Sequence, residues 1–235
     1  MKPTCRPLLL ALALGLSATS PAGALSPPPP PTVPGQVSNT AWAEDMTRFA
    51  QADKASPPPR AGIEFIGSSS IRMWESLDAD FPAQPVFNRG FGGSEVRDST
   101  WYADRIVVPY APCKVFLYAG DNDLNSGRTP TQVRDDVVAF VQRVQRDLPD
   151  TVVEYISIKP SPSRAQLLPG IQQANAMIRS ALAAMPKTGY TDIYTPMLGA
   201  DGKPDPALFR EDMLHMKPSG YAIWTKALAP KVHCG

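Results

Sequence analysis

Three consecutive hydroxyls, Ser68, Ser69 and Ser70, follow Gly67 at the end of an apolar run, Ile63 to Ile66. Far along the chain comes Asp212-Met-Leu-His215, a carboxylate three residues ahead of an imidazole. Between them lie Asn88-Arg-Gly-Phe-Gly-Gly-Ser94 and Ala119-Gly-Asp-Asn-Asp123. Together these segments hold the parts of acyl transfer: a hydroxyl nucleophile, an imidazole base, a carboxylate to orient the base, and N–H donors for an oxyanion. The other histidine, His233, sits beside the C-terminus, which leaves His215 as the base. Each part alone has a plainer use. Serines after glycine form turns and cap helices. Gly90, Gly92 and Gly93 could serve only a tight turn, Asn122 a turn, and Asp212 and His215 a solvated face. Asp121 and Asp123 resemble a divalent-metal pair, but no His or Glu cluster accompanies them, so no metal is expected.

The elements that must position these residues alternate. Strands are expected at 62–67, 85–88, 114–119, 152–158 and 190–194. Helices are expected between them at 71–80, 94–107, 130–147, 170–185 and 217–229. The helix at 130–147 is the clearest: Thr129 caps it, Pro130 opens it, and Val133, Val137, Phe140, Val141 and Val144 share one face. Strands separated by single helices call for a parallel sheet. The expected fold is a three-layer α/β/α sandwich with a mostly parallel, about five-stranded, flavodoxin-like sheet. If the strand order is 2-1-3-4-5, the first and third strands meet at the switch point, where a cleft opens. The serine turn and the Asn122 turn would then face each other across it. The loop 161–169 and the segment 197–209 are expected to shape the pocket.

A composition 43% hydrophobic and 19% charged is that of a globular protein, long enough at 235 residues for one sizeable core. The N-terminus departs from it. Lys2 and Arg6 precede the apolar run Leu8–Leu16, and Ala22-Gly-Ala24 offers a cleavage site, the pattern of a signal peptide over residues 1–24. The run is short for a membrane span, and Cys5 stands too early for a lipid-bearing cysteine. Residues 25–37, with five consecutive prolines, read as an extended tether, and the folded domain as 38–235. A helix is expected over Asn39–Ala55, capped by Asn39 or Thr40. Cleavage after Ala24 places the mature protein in the periplasm or outside the cell. Lys2 and Arg6 are two of 23 basic residues; without them 21 face 22 acidic ones, a net −1 that argues against nucleic acid or an anionic membrane as partner. Cys113 and Cys234 both fall at the amino end of the expected sheet. Export is compatible with a bridge between them or with two free thiols.

Phe65-Ile-Gly-Ser-Ser-Ser-Ile-Arg-Met-Trp74, Asn88-Arg-Gly-Phe-Gly-Gly93, Gly120-Asp-Asn-Asp123 and Asp212-Met-Leu-His215 resemble, in order, the four blocks of the SGNH (GDSL-like) hydrolases. The likeness spans about residues 60–230. It looks closest to the platelet-activating-factor acetylhydrolase-like branch, partly for the Asn-x-Gly-x-Gly-Gly run. The resemblance implies Ser69 as nucleophile, the second residue after Gly67, with Ser68 in a slot usually held by Asp. It implies an oxyanion hole from the N–H of Ser69, the N–H of Gly93 and the side chain of Asn122, and a triad completed by His215 and Asp212. It also implies a serine esterase for short-chain, acetyl-like esters that needs no cofactor. Two other readings stand beside it: a carbohydrate O-acetylesterase, and a non-catalytic ligand-binding module on the same scaffold.

Overall fold

The computed structural model describes Met1 and residues 41–234. The signal-peptide and tether segments, the start of the folded domain at 38, and the caps Asn39 and Thr40 lie outside the described residues. Five strands form one parallel sheet: β1 (Ile63–Gly67), β2 (Val86–Gly90), β3 (Lys114–Tyr118), β4 (Val152–Ile156) and β5 (Thr188–Thr191). Their order is β2-β1-β3-β4-β5. β1 pairs with β2 and with β3, so the switch point falls on β1. Every residue of β1 and β3 is buried, as expected of strands covered on both faces.

Alternation along the strands separates two apolar layers. Ile66, Val115 and Leu117 face a core made with α1 (Ala43–Ala55), α7 (Pro130–Asp147) and α8 (Leu168–Ala183). Phe65, Phe116 and Tyr118 face a second core with Trp74, with Leu77 of α3 (Leu77–Asp80), and with Tyr221 and Trp224 of α9 (Pro218–Leu228). Phe65 stacks on Phe116 at 4.7 Å and meets Trp74 edge-on at 5.6 Å. Such aromatic pairs add specific geometry to area burial.

Several boundaries differ from the sequence expectation, each for a local reason. The helix expected at 71–80 is two short pieces, α2 (Ser69–Arg72) and α3; that at 94–107 divides into α4 (Val96–Trp101) and α5 (Ala103–Ile106) at Tyr102. A one-turn helix, α6 (Asp121–Asn125), was not anticipated. α1 begins at Ala43 instead of near residue 39, and Trp42 just before it is anchored by its indole N–H to the Gly92 carbonyl at 2.8 Å. β5 ends at Thr191 because the next backbone N–H groups leave the ladder: Ile193 and Tyr194 donate to Ser157 Oγ at 2.9 and 3.1 Å. Among the described residues, no helix is long and apolar enough to cross a membrane.

Cys113, one residue before β3, is bonded to Cys234 after α9, with Cα atoms 5.8 Å apart. The bridge closes a span of 121 residues at the amino end of the sheet, away from the serine turn. Lys114 Nζ also donates to the Lys231 carbonyl at 2.7 Å, a second tie on the same segment. Replacing both cysteines with serine should lower unfolding stability by about 2–4 kcal/mol and leave ester turnover within about two-fold, because far from a site most changes are energetically independent of it. Urea titrations of wild type and double variant, with turnover measured beside them, check this. Coincident midpoints would show that the bridge does not restrain the chain in solution.

Candidate active site

The site begins at Gly67. Its φ is +139°, and a Cβ there would lie 1.8 Å from the Tyr118 carbonyl oxygen, so only glycine lets β1 turn across the end of β3. The turn is then fixed on both sides: Ser68 N–H donates to the Tyr118 carbonyl at 3.0 Å, and Phe91 N–H to the Gly67 carbonyl at 2.9 Å. Ser69 follows as the first residue of α2, half-buried. In that position its own N–H has no acceptor within the helix.

Across the cleft, the segment carrying Asp212 and His215 forms a tight turn outside any helix. Asp212 Oδ1 accepts from the backbone N–H groups of Leu214 and His215, both at 2.9 Å. Met213 completes the turn at φ +55°. The second oxygen, Oδ2, lies 2.6 Å from His215 Nδ1. His215 Nε2 lies 3.0 Å from Ser69 Oγ. With Nδ1 protonated toward the carboxylate, Nε2 is free to accept the serine proton. Ser69, His215 and Asp212 therefore form one continuous chain of contacts. Ser68 does not join it: that side chain is buried, and its Oγ has no partner.

The same cleft, about 380 Å³, is lined by Ser69, Gly93, Asn122 and His215 together with Asp45, Arg72 and Leu214. Gly93 is exposed with φ +81°. Asn122 Nδ2 donates to the Ser94 carbonyl at 3.0 Å, and its Oδ1 accepts from Arg164 Nη2 at 2.9 Å. All five expected site residues thus meet in one place. Asp45 on α1, Arg72 and Leu214 were missed as lining residues, and Arg164 as the partner of Asn122. No residue of 197–209 lines the cleft, contrary to expectation. The loop 161–169 reaches the site through Arg164, on Asn122, and through Ser163, whose N–H donates to the Met213 carbonyl. Its position after β4 could have placed it at the carboxyl edge, but nothing in the sequence names its partner.

The two carboxylates flanking Asn122 behave oppositely. Burial disfavours the charge of Asp121, but Lys159 Nζ at 2.8 Å and Arg164 Nη1 at 3.2 Å outweigh it and hold the carboxyl below its ordinary range. Burial pushes the Asp123 carboxyl well up, with only the Val96 N–H at 3.0 Å and weaker contacts opposing. The two side chains have separate partners. Among the described residues, no group of three or more His, Cys, Asp or Glu is arranged to hold a metal ion.

The GDSL-like Lipase/Acylhydrolase family model matches residues 65–223, more than half of the chain. The chain belongs to that family. Platelet-activating factor acetylhydrolase IB subunit alpha1 from Pongo abelii is 27% identical over 198 residues, covering 80% of each chain; the human protein is 26% identical over the same length. The structure of a GDSL-like lipase from Bacteroides thetaiotaomicron superposes with a TM-score of 0.68 at 20% identity, covering 80% of this chain and 96% of that one. A catalytic mutant of an acetylxylan esterase from Geobacillus stearothermophilus gives 0.59 at 12% identity, covering 75% and 96%. This member of the family is a carboxylic ester hydrolase on the SGNH hydrolase fold, and the reading as a non-catalytic binding module falls away.

Asp212 carries an electrostatic signature of its contact with His215. Partial burial works against its charge, but the hydrogen bonds from the His215 ring and from the His215 and Leu214 N–H groups prevail and bring its pKa down to about 2. A depressed carboxyl pKa means that the contact's contribution is whole above the ordinary value near 3.8 and is lost as pH falls toward about 2. Carboxyl-carbon NMR should therefore give Asp212 a midpoint near 2. A midpoint at the ordinary value would mean that the turn does not hold the ring in solution.

Proposed function

We propose that the protein is an exported serine esterase for short acyl esters, acetyl above all, with Ser69 as nucleophile, His215 as general base and acid, and Asp212 as the group that orients and charges-balances the ring. The observation that carries this reading is the unbroken contact chain, 2.6 Å from carboxylate to ring and 3.0 Å from ring to hydroxyl, opening into the cleft. His215 takes the Ser69 proton as Oγ bonds to the ester carbonyl carbon. Negative charge moves onto the carbonyl oxygen, opposed by the N–H groups of Ser69, Gly93 and the Asn122 amide. The tetrahedral intermediate collapses, its bond to the alcohol oxygen breaks, and His215 gives that oxygen the proton. Water then attacks the acyl-enzyme by the same path and releases the acid and Ser69. Asp212 keeps the ring in the required tautomer and stabilises the imidazolium without taking its proton.

Two features support a short acyl group. The relatives reported above are named acetylhydrolases. Among the described residues, Leu214 is the one large aliphatic side chain lining the cleft, too little apolar surface to bind a long chain. Asp45 and Arg72 line the same cleft with charge and suit a polar alcohol portion. They favour, as a second reading, an O-acetylated carbohydrate as the ester. The apolar run of Leu8–Leu16 after Lys2 and Arg6 supports export to the periplasm or beyond.

Ser69→Ala should fold as wild type, lose labelling by a serine-directed phosphonate, and lose p-nitrophenyl acetate turnover by about 10³-fold or more, the scale at which triads depend on their nucleophile. Ser68→Ala should keep most of the turnover; the reverse pattern would move the nucleophile to Ser68. Across acetyl, butyryl and octanoyl esters, kcat/KM should fall by about ten-fold or more from first to last, since mismatched chains forgo pocket binding. A rise toward octanoyl would overturn the short-acyl reading. Acetylated xylo-oligosaccharide outperforming the acetyl aryl ester would favour the carbohydrate reading.

A further inference from the structure

We propose that Arg164 is a positioning residue for the oxyanion donor Asn122, and that the buried Lys159–Asp121–Arg164 cluster behind it opposes the negative charge formed on the substrate oxygen. The proposal rests on the reading of Asn122 as an oxyanion donor.

A primary amide offers one acceptor oxygen and two N–H donors in a plane. In Asn122 the oxygen is taken by Arg164 Nη2 at 2.9 Å, and one N–H is taken by the Ser94 carbonyl at 3.0 Å. The direction of the remaining N–H is then fixed, at a residue that lines the cleft with Ser69, Gly93 and His215. Rotation of the amide by a half-turn would present the carbonyl oxygen to the oxyanion and convert attraction into repulsion. Arg164, a donor only, cannot satisfy that flipped state. Donation to Oδ1 also polarises the amide and strengthens its free N–H.

Charge leads to the same assignment. Lys159, Asp121 and Arg164 side chains are 1%, 5% and 11% exposed. Lys159 Nζ already gives Asp121 a cationic partner at 2.8 Å. Arg164 is therefore a second cation on one carboxylate, and burying surplus charge is costly for a folded protein. An oxyanion forming next to Asn122 would supply the missing negative charge only during the reaction. Arg164 is also tied to the opposite wall, because Ser163 N–H donates to the Met213 carbonyl at 3.0 Å in the turn that carries Asp212 and His215.

The test is a double-mutant cycle with p-nitrophenyl acetate on Arg164→Met, Asn122→Ala, the combined variant and Arg164→Lys, each checked for cooperative melting. Arg164→Met should lower kcat by about ten-fold or more with KM within about two-fold. Arg164→Lys should retain more of the turnover. In the Asn122→Ala background, Arg164→Met should cost several-fold less kcat than in wild type, because the positioning route is gone and only the through-space charge remains. Equal losses in both backgrounds, or a loss confined to KM, overturn the proposal. If Arg164→Met does not fold, Arg164→Gln, which also removes the charge, is carried through the same cycle under the same criteria. An Asn122→Ala enzyme with undiminished kcat would sink the oxyanion role of Asn122 and this proposal with it. An enzyme slowed by Asn122→Ala but not by Arg164→Met would sink this proposal alone.

Discussion

The close passage of β1 over β3 at Gly67 governs the rest of the site. Gly67 pairs in register with Gly90 on one side and Tyr118 on the other, so three strands end at one level. A side chain at Gly67 would collide with the Tyr118 backbone, and the turn into α2 could not form as it does. Because the strands end together, the segments that leave them converge. Ser69 comes from the start of α2 after β1, Gly93 from the loop after β2, and Asn122 from α6 after β3. The parallel sheet thus acts as a template that brings residues over fifty positions apart to the lining of one cleft.

Electrostatics sorts the carboxyls by the partners each one finds. At the carboxyl end, Asp212 and Asp121 stay ionised because hydrogen bonds and cations outweigh their burial. Inside the sheet, Glu64 has no hydrogen-bond partner, and burial drives its carboxyl well up against the pull of Arg89. A carboxyl held neutral in the core costs less than an ionised one, and the fold uses this option at Glu64 inside the sheet and at Asp123 beside Asn122. Arg89 in turn is ringed by Phe49, Phe87 and Tyr110, and pairs with Asp53 of α1. That set of contacts seats α1 on the sheet, which brings Asp45 to the rim of the cleft.

The sequence was most legible where a short-range rule has no strong competitor. The helix at Pro130–Asp147 carries its own cap in Thr129 and its own apolar face, and its limits agree with expectation. Parallel pairing followed from alternation, since parallel neighbours need crossovers, while the strand order entered only as a condition. Legibility fell where tertiary partners replace local bonds. Ser157 took the N–H groups that would have lengthened β5. The stretch expected as one helix at 71–80 broke, and Trp74 instead packs on Phe65, Phe81, Tyr221 and Trp224. The resemblance to the family's blocks named Ser69, Gly93, Asn122, Asp212 and His215, with Ser68 in the slot usually held by Asp.

The sequence by itself determined the kind of chemistry, because hydroxyl, imidazole, carboxylate and glycine-rich turns are fixed by residue identity, and their spacing follows the strands. It also determined the class of fold, because hydrophobic period is written locally. Only the tertiary structure decided which serine meets the imidazole, that Cys113 and Cys234 join, and that Arg164 holds the Asn122 amide. Those facts depend on distances between segments far apart in the chain, set by how two apolar layers pack against one sheet. No local pattern encodes such a distance.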